Sequence, residues 1–143
     1  MRVVLDTNIL VSALWKPGGL EAQVIALARE GKIVACVSEA LWAEYLDVLS
    51  RRKFSKFAQA ATDLITVLDS CARRIETAAK VAWSTDEDDN RVLECLQDGG
   101  AEYLITGNLR HFPSEWAGAK IVNARMFLNF YATGFVSNPD RRK

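Results

Sequence analysis

Short runs of β-branched and apolar residues alternate along this chain with longer stretches of helical periodicity, and that alternation narrows the fold more than any other feature. Val3 to Leu5 is followed by a helical pattern over Leu20 to Glu30, then by Ile33 to Val37 and a second helical pattern over Glu39 to Ser50. Strand-length runs separated by helix-length ones predict βαβ units, and so an α/β fold with a parallel sheet covered on both faces. Leu20, Val24, Leu27 and Ala28 share one helical face, and Gly31 stands where that helix needs a stop. Ser38 is placed to cap the next helix, whose apolar face is Leu41, Trp42, Tyr45, Leu46 and Leu49.

The second half repeats the pattern. Ala61, Leu64, Ile65 and Leu68 predict a helix over Phe57 to Cys71, and the basic cluster Arg51, Arg52, Lys53 and Lys56 precedes it. Together they read as a helical hairpin beside the sheet. The acidic turn Asp86-Glu87-Asp88-Asp89 opens a helix through Val92, Leu93 and Leu96 that Gly99-Gly100 ends. Tyr103 to Thr106 predicts a buried strand, Lys120 to Val122 a last short strand, and Ala124 to Tyr131 a closing helix.

A chain of 143 residues suits one domain with one sizeable core, expected over residues 1–136, followed by a basic tail over 137–143. Its formal charges cancel, so composition does not predict general adhesion to nucleic acid, and any such contact must come from local patches. Cys36, Cys71 and Cys95 are far apart in apolar surroundings and read as reduced core residues. With a single histidine, His111, and no closely spaced cysteine pair, the chain lacks the material for a structural zinc site, so the ligands of any bound metal are oxygens. No apolar run approaches the roughly twenty residues that cross a bilayer, which leads us to expect a soluble, cytoplasmic protein with no membrane partner.

Ligands of open parallel sheets collect at the carboxyl ends of the strands. Asp6, at the end of the first strand, would lie there with the acidic turn and Thr106-Gly107-Asn108, and Glu44 would lean over the same crevice from its helix. Each also has a plainer role: Asp6 as a helix N-cap, Asp86 to Asp89 as a solvated helix start, Glu44 as an exposed helical residue. Thr7, Asn8 and Ser12 are placed to hold carboxylates or phosphate, or simply to begin a helix. His111 reads as a loop residue on aromatic neighbours, and Trp15, Trp42, Trp83 and Trp116 as core or interface residues rather than base-stacking platforms. Carboxylates gathered this closely repel, and a divalent cation that prefers oxygen, Mg²⁺ or Mn²⁺, removes the conflict. Two ions about 3.5–4 Å apart would suit phosphodiester hydrolysis without a protein nucleophile.

The chain resembles the PIN-domain family, in the branch of toxins from toxin–antitoxin systems. The resemblance is carried by Val3 to Ser12, Val37-Ser38-Glu39 through Glu44-Tyr45, Asp86 to Asn90 with Leu93-Glu94-Cys95, and Ala101 to Asn108. It implies a three-layer α/β/α fold and a metal-dependent ribonuclease acting on RNA, with a cognate antitoxin and a homodimer as partners. It also implies Asp6, Glu44 and Asp89 as catalytic metal ligands, with Asp86 as an auxiliary acid and Asp88 as an alternative to Asp89. Many relatives carry a further acid where Asn108 stands, which puts a second ion in question. Thr106 and Asn8 are expected to position these groups, and Arg51, Arg52, Lys53 and Lys56 to grip RNA phosphates. Trp15, Phe127 and Phe130 serve either a dimer face or the core. Two other functions stay open: an RNA- or antitoxin-binding protein without turnover, and an aspartyl-nucleophile phosphatase, which would need an acid at Asn8.

Overall fold

A computed structural model describes residues 1–137 of the chain; the tail expected over 137–143 lies, past Ser137, outside the described residues. Among the described residues six strands form one sheet: β1 (Arg2–Leu5), β2 (Val34–Ser38), β3 (Arg73–Ile75), β4 (Tyr103–Ile105), β5 (Glu115–Trp116) and β6 (Ala119–Val122). Their order is β3-β2-β1-β4-β6-β5. The helices are α1 (Thr7–Trp15), α2 (Leu20–Arg29), α3 (Glu39–Leu49), α4 (Ala58–Cys71), α5 (Glu87–Asp98) and α6 (Ala124–Ser137). They flank a mainly parallel sheet in the three-layer α/β/α arrangement.

The sheet is parallel except at its edge, where β5 and β6 form an antiparallel hairpin. Ala117 and Gly118 turn it with φ of 51° and 84°, the left-handed pair that a two-residue hairpin loop demands. Val3, Val4 and Leu5 of the central strand are fully buried, as are Leu104 and Ile105 beside them, which explains why these strands read as unbroken apolar runs. Gly31 ends α2 at φ 77° and Gly100 follows α5 at φ 59°, and the Ser38 hydroxyl caps α3 through Leu41 N–H.

Three elements differ from the sequence reading. The basic cluster winds into a 3-10 turn, Arg52–Phe57, because Phe54 and Phe57 both turn onto Trp15, at ring separations of 6.3 and 5.0 Å. The three-residue β3 and two-residue β5 escaped the sequence because Arg73, Arg74 and Glu115 leave these short, largely exposed strands without the apolar run that marks β4. Phe127 is fully buried against Tyr103 and Tyr131 and belongs to the core, leaving Trp15 and Phe130, about half exposed, as the surface aromatics of that trio.

From β3 to α5 the chain runs back along α5 as a strap. Asn90, Glu94 and Asp98 recur every four residues on one stripe of that helix, and each takes strap backbone. Asp98 accepts from the N–H groups of Ala78 and Ala79 at 2.7 and 2.9 Å, and Glu94 accepts from Val81 N–H at 2.9 Å. Asn90, fully buried, accepts from Ser84 N–H and donates to Ser84 carbonyl, both at 2.8 Å. Arg91 donates to both oxygens of Glu94 at 2.8 Å, so the buried carboxylate is charge-paired. Replacing Asn90 with alanine strands two backbone groups of the strap, and Asn90→Ala is expected to cost about 2–4 kcal/mol in urea unfolding.

Candidate active site

Asp6 closes β1 and opens α1. Its N–H donates to the Ile105 carbonyl at 2.9 Å, and Thr106 N–H donates to the Val122 carbonyl at 2.9 Å, so residues 6 and 106 continue neighbouring parallel ladders. The strand order reverses between β1 and β4, since β2 and β3 lie on one side and β6 on the other. That reversal opens the crevice in which α/β sheets bind ligands.

The Asp6 carboxylate is 8% exposed and held by three donors. One oxygen accepts from Thr7 N–H at 2.9 Å, the N-cap bond of α1. The other accepts from the Thr106 hydroxyl at 2.8 Å and the Asn8 amide at 3.1 Å. Asn8 also accepts from Gly107 N–H at 2.9 Å, and Asn108 N–H donates to the Thr106 hydroxyl at 2.9 Å, which ties the two loops together. Both readings of Asp6 therefore hold at once, as helix cap and as a carboxylate at the crevice. Burial raises its pKa above the ordinary 3.8 against the opposing pull of Thr106, Thr7, Asn8 and His111.

Glu44 reaches the crevice from the middle of α3, farther along the helix than its first turn, and accepts from the Thr7 hydroxyl. Tyr45 beside it donates its buried hydroxyl to the Leu5 carbonyl, which pins α3 to the end of β1. Burial raises the Glu44 pKa, the Thr7 hydrogen bond opposes it, and the charges of Asp88, Asp6 and Asp86 raise it further. Asp89 is raised first by burial and then by Asp86 and Asp6, with His111 opposing and Asp88 adding to the rise. Acids from β1, α3 and the start of α5 thus share one field. Asp86 and Asp88 stand exposed at that helix start, where Asp86 caps α5 by accepting from Asp88 N–H at 2.9 Å.

His111 lies with Nδ1 3.7 Å from an Asp89 oxygen, nearer the acids than its place in an aromatic loop suggested. Nothing in the spacing of Asn108 to His111 gave that direction, because the 3-10 turn Leu109–His111 sets it. Among the described residues Ser12 gives no hydrogen bond to an acid. The basic residues Arg51, Arg52, Lys53 and Lys56 are exposed past the far end of α3, with Arg51 paired to Asp47 at 3.1 Å. Glu44 and the last residue of α3, Leu49, are five residues apart, about 7.5 Å along the helix, and the basic cluster begins beyond that end.

The donors at the rim are carboxylate oxygens, a set that suits a hard divalent cation, and the nearness of like charges favours one. Among the described residues, however, no three histidine, cysteine, aspartate or glutamate side chains are drawn together tightly enough to hold an ion as they stand. The oxygens of Asp6 and Glu44 are occupied by neutral donors, Thr7, Asn8 and Thr106.

Comparison with known proteins bears on this arrangement. The uncharacterized protein MJ1680 of Methanocaldococcus jannaschii is 30% identical over 111 residues, covering 76% of this chain and 71% of that protein. The crystal structure of VapBC2 from Rickettsia felis bound to a DNA fragment from their promoter is similar in fold, with a TM-score of 0.59 at 19% identity over 86% of this chain and 98% of the matched one. A family model described as PIN domain matches residues 2–110, the stretch that carries Asp6, Glu44, Asp86, Asp89 and Thr106. The chain belongs to the PIN-domain family.

Proposed function

We propose that this chain is a divalent-metal-dependent ribonuclease, the toxin of a toxin–antitoxin pair. The observation that carries the reading is the buried Asp6 carboxylate at the strand-order reversal, close enough for its charge to act on Glu44 and Asp89. Asp6, Glu44 and Asp89 would hold the ion, Mg²⁺ or Mn²⁺, with Asp86, Asp88 and Asn108 beside them. Bound there, a divalent cation neutralises the acids and activates water toward a phosphodiester. Thr106 and Asn8 orient the Asp6 carboxylate, and Thr7 holds Glu44 toward the same crevice. Lys53 and Lys56, exposed along the 3-10 turn, offer phosphate contacts remote from the acids. The fold likeness to VapBC2 is in keeping with an antitoxin partner, and Phe130 and Trp15 are surface aromatics available to a dimer.

The phosphatase alternative is weakened, because Asn8 spends its amide on Asp6 and Gly107 rather than supplying an acid. Asn108 keeps the reading of a binding protein without turnover alive, since its side chain adds no charge where many relatives have an acid. Incubation of purified protein with single-stranded RNA and Mn²⁺ separates these readings. Cleavage is expected to stop with chelator and to fall by about 100-fold or more in Asp6→Asn, the equivalent of several kcal/mol of lost charge stabilisation. Equal cleavage by both proteins would trace the activity to a contaminant.

The electrostatics give a second test. Folded-state pKa values of Asp6, Glu44 and Asp89 above the ordinary 3.8 and 4.5 mean that the folded chain binds protons more tightly than the unfolded one. These groups therefore weaken the ion-free fold above their raised pKa values, and the penalty vanishes as pH falls below the ordinary ones. In chelator, unfolding free energy is expected to fall as pH rises from the ordinary carboxylate values of 3.8 and 4.5 through the raised ones, less steeply in Asp6→Asn than in the parent. Identical slopes would count against the raised pKa of Asp6. For the basic turn, Lys53→Ala with Lys56→Ala is expected to weaken RNA binding severalfold at low salt and to flatten its salt dependence by up to two phosphate contacts, read by fluorescence anisotropy.

A further inference from the structure

Beside the strap lies an open cleft of about 440 Å³, lined by Lys80, Val81, Ala82, Trp83, Gln97 and Trp116. We propose that this cleft is a nucleobase-binding site, in which the indoles of Trp83 and Trp116 take a base of single-stranded RNA while Lys80 meets a phosphate. The choice of RNA rests on the nuclease reading above; the cleft itself does not.

Four observations carry it. First, Trp83 is 47% exposed, and among the described residues it has no hydrogen bond or ring partner, so a large π-face stands open. An indole offers any base a stacking surface. Second, Trp116 spends its ring N–H on the Gln97 side-chain oxygen at 3.2 Å, which turns the Gln97 amide N–H₂ toward other acceptors such as a base edge. Third, Lys80 is exposed and without a described ion pair, so the cleft joins a cation to its aromatic walls. An apolar protein side chain would use the indoles alone, whereas a nucleotide uses the indoles, the amide and the ammonium together.

The fourth observation is place and rigidity. Val81 and Ser84, on either side of Trp83, are fixed to Glu94 and Asn90, so the backbone that carries the indole is held before any ligand arrives. Trp83 is three residues ahead of Asp86. Gln97 is eight residues past Asp89, about 12 Å along α5. A strand lying in the cleft along α5 is thereby led toward the acidic rim.

Affinity for a fluorescent single-stranded oligoribonucleotide, measured by anisotropy in chelator so that nothing is cleaved, tests the proposal. Trp83→Ala is expected to weaken binding by about 10-fold, the loss typical of one stacked base, and Trp83→Phe to restore most of it. Lys80→Ala is expected to reduce the salt dependence by about one phosphate contact. Thermal melting of each variant separates lost binding from lost fold, and Trp83→Phe guards against a misfolded alanine variant. A protein that binds through Trp83 in chelator but never cleaves RNA with Mn²⁺ would overturn the nuclease and keep the cleft. Unchanged affinity in Trp83→Ala would overturn the cleft whether or not the protein cleaves, and a change of oligomeric state on sizing alongside unchanged affinity would reassign it to a protein contact.

Discussion

The Asp6 carboxylate is the joint on which the rest of the site hangs. It sits almost out of water at the end of the central strand, and its two oxygens collect the first N–H of α1, the Asn8 amide and the Thr106 hydroxyl. One side chain thus fixes the start of a helix and the loop after a neighbouring strand. Burying a carboxylate is unfavourable, and the raised pKa is the measure of it. The hydrogen bonds recover part of that cost, and the remainder is held at the crevice as a group that gains from a positive charge.

A second constraint places the other acids. The start of α5 is not free to wander, because the strap before it is laced to Asn90, Glu94 and Asp98 along one helical stripe. The same lacing that sets Asp86, Asp88 and Asp89 at the crevice holds Trp83 outward beside them. Buried Glu94 is tolerated because Arg91 meets it with two hydrogen bonds, whereas Asp6 has no such partner. The contrast sets the charge-paired, structural Glu94 apart from the unpaired Asp6.

Much of this was legible in the chain. The apolar runs of β1, β2 and β4, the stop at Gly31 and the cap at Ser38 follow from local chemistry, and each occupies its expected place. Asp6 was legible because a carboxylate between a buried strand and a new apolar run has few roles. The 3-10 turn at the basic cluster was not, since it depends on Trp15 meeting Phe54 and Phe57 from another helix. The nearness of His111 to Asp89 was not legible for the same reason: it comes from how the turn after β4 folds against the start of α5. Trp15 and Trp83, read as core or interface residues, stand about half exposed, because composition says an indole favours burial but not which side of the fold it will occupy.

The order of strand-like and helix-like runs determined the α/β class, and the residue types at the strand ends determined that any metal would meet oxygen donors. Those properties depend on neighbours within a few residues, where backbone geometry and hydrophobic period decide the outcome. Tertiary structure alone decided that Asp6 and Thr106, a hundred residues apart in sequence, would share a hydrogen bond, and that Glu44 would be tied to Thr7. It also chose which stripe of α5 would carry the strap. Such contacts depend on strand order and on the approach of distant helices, which no local pattern encodes.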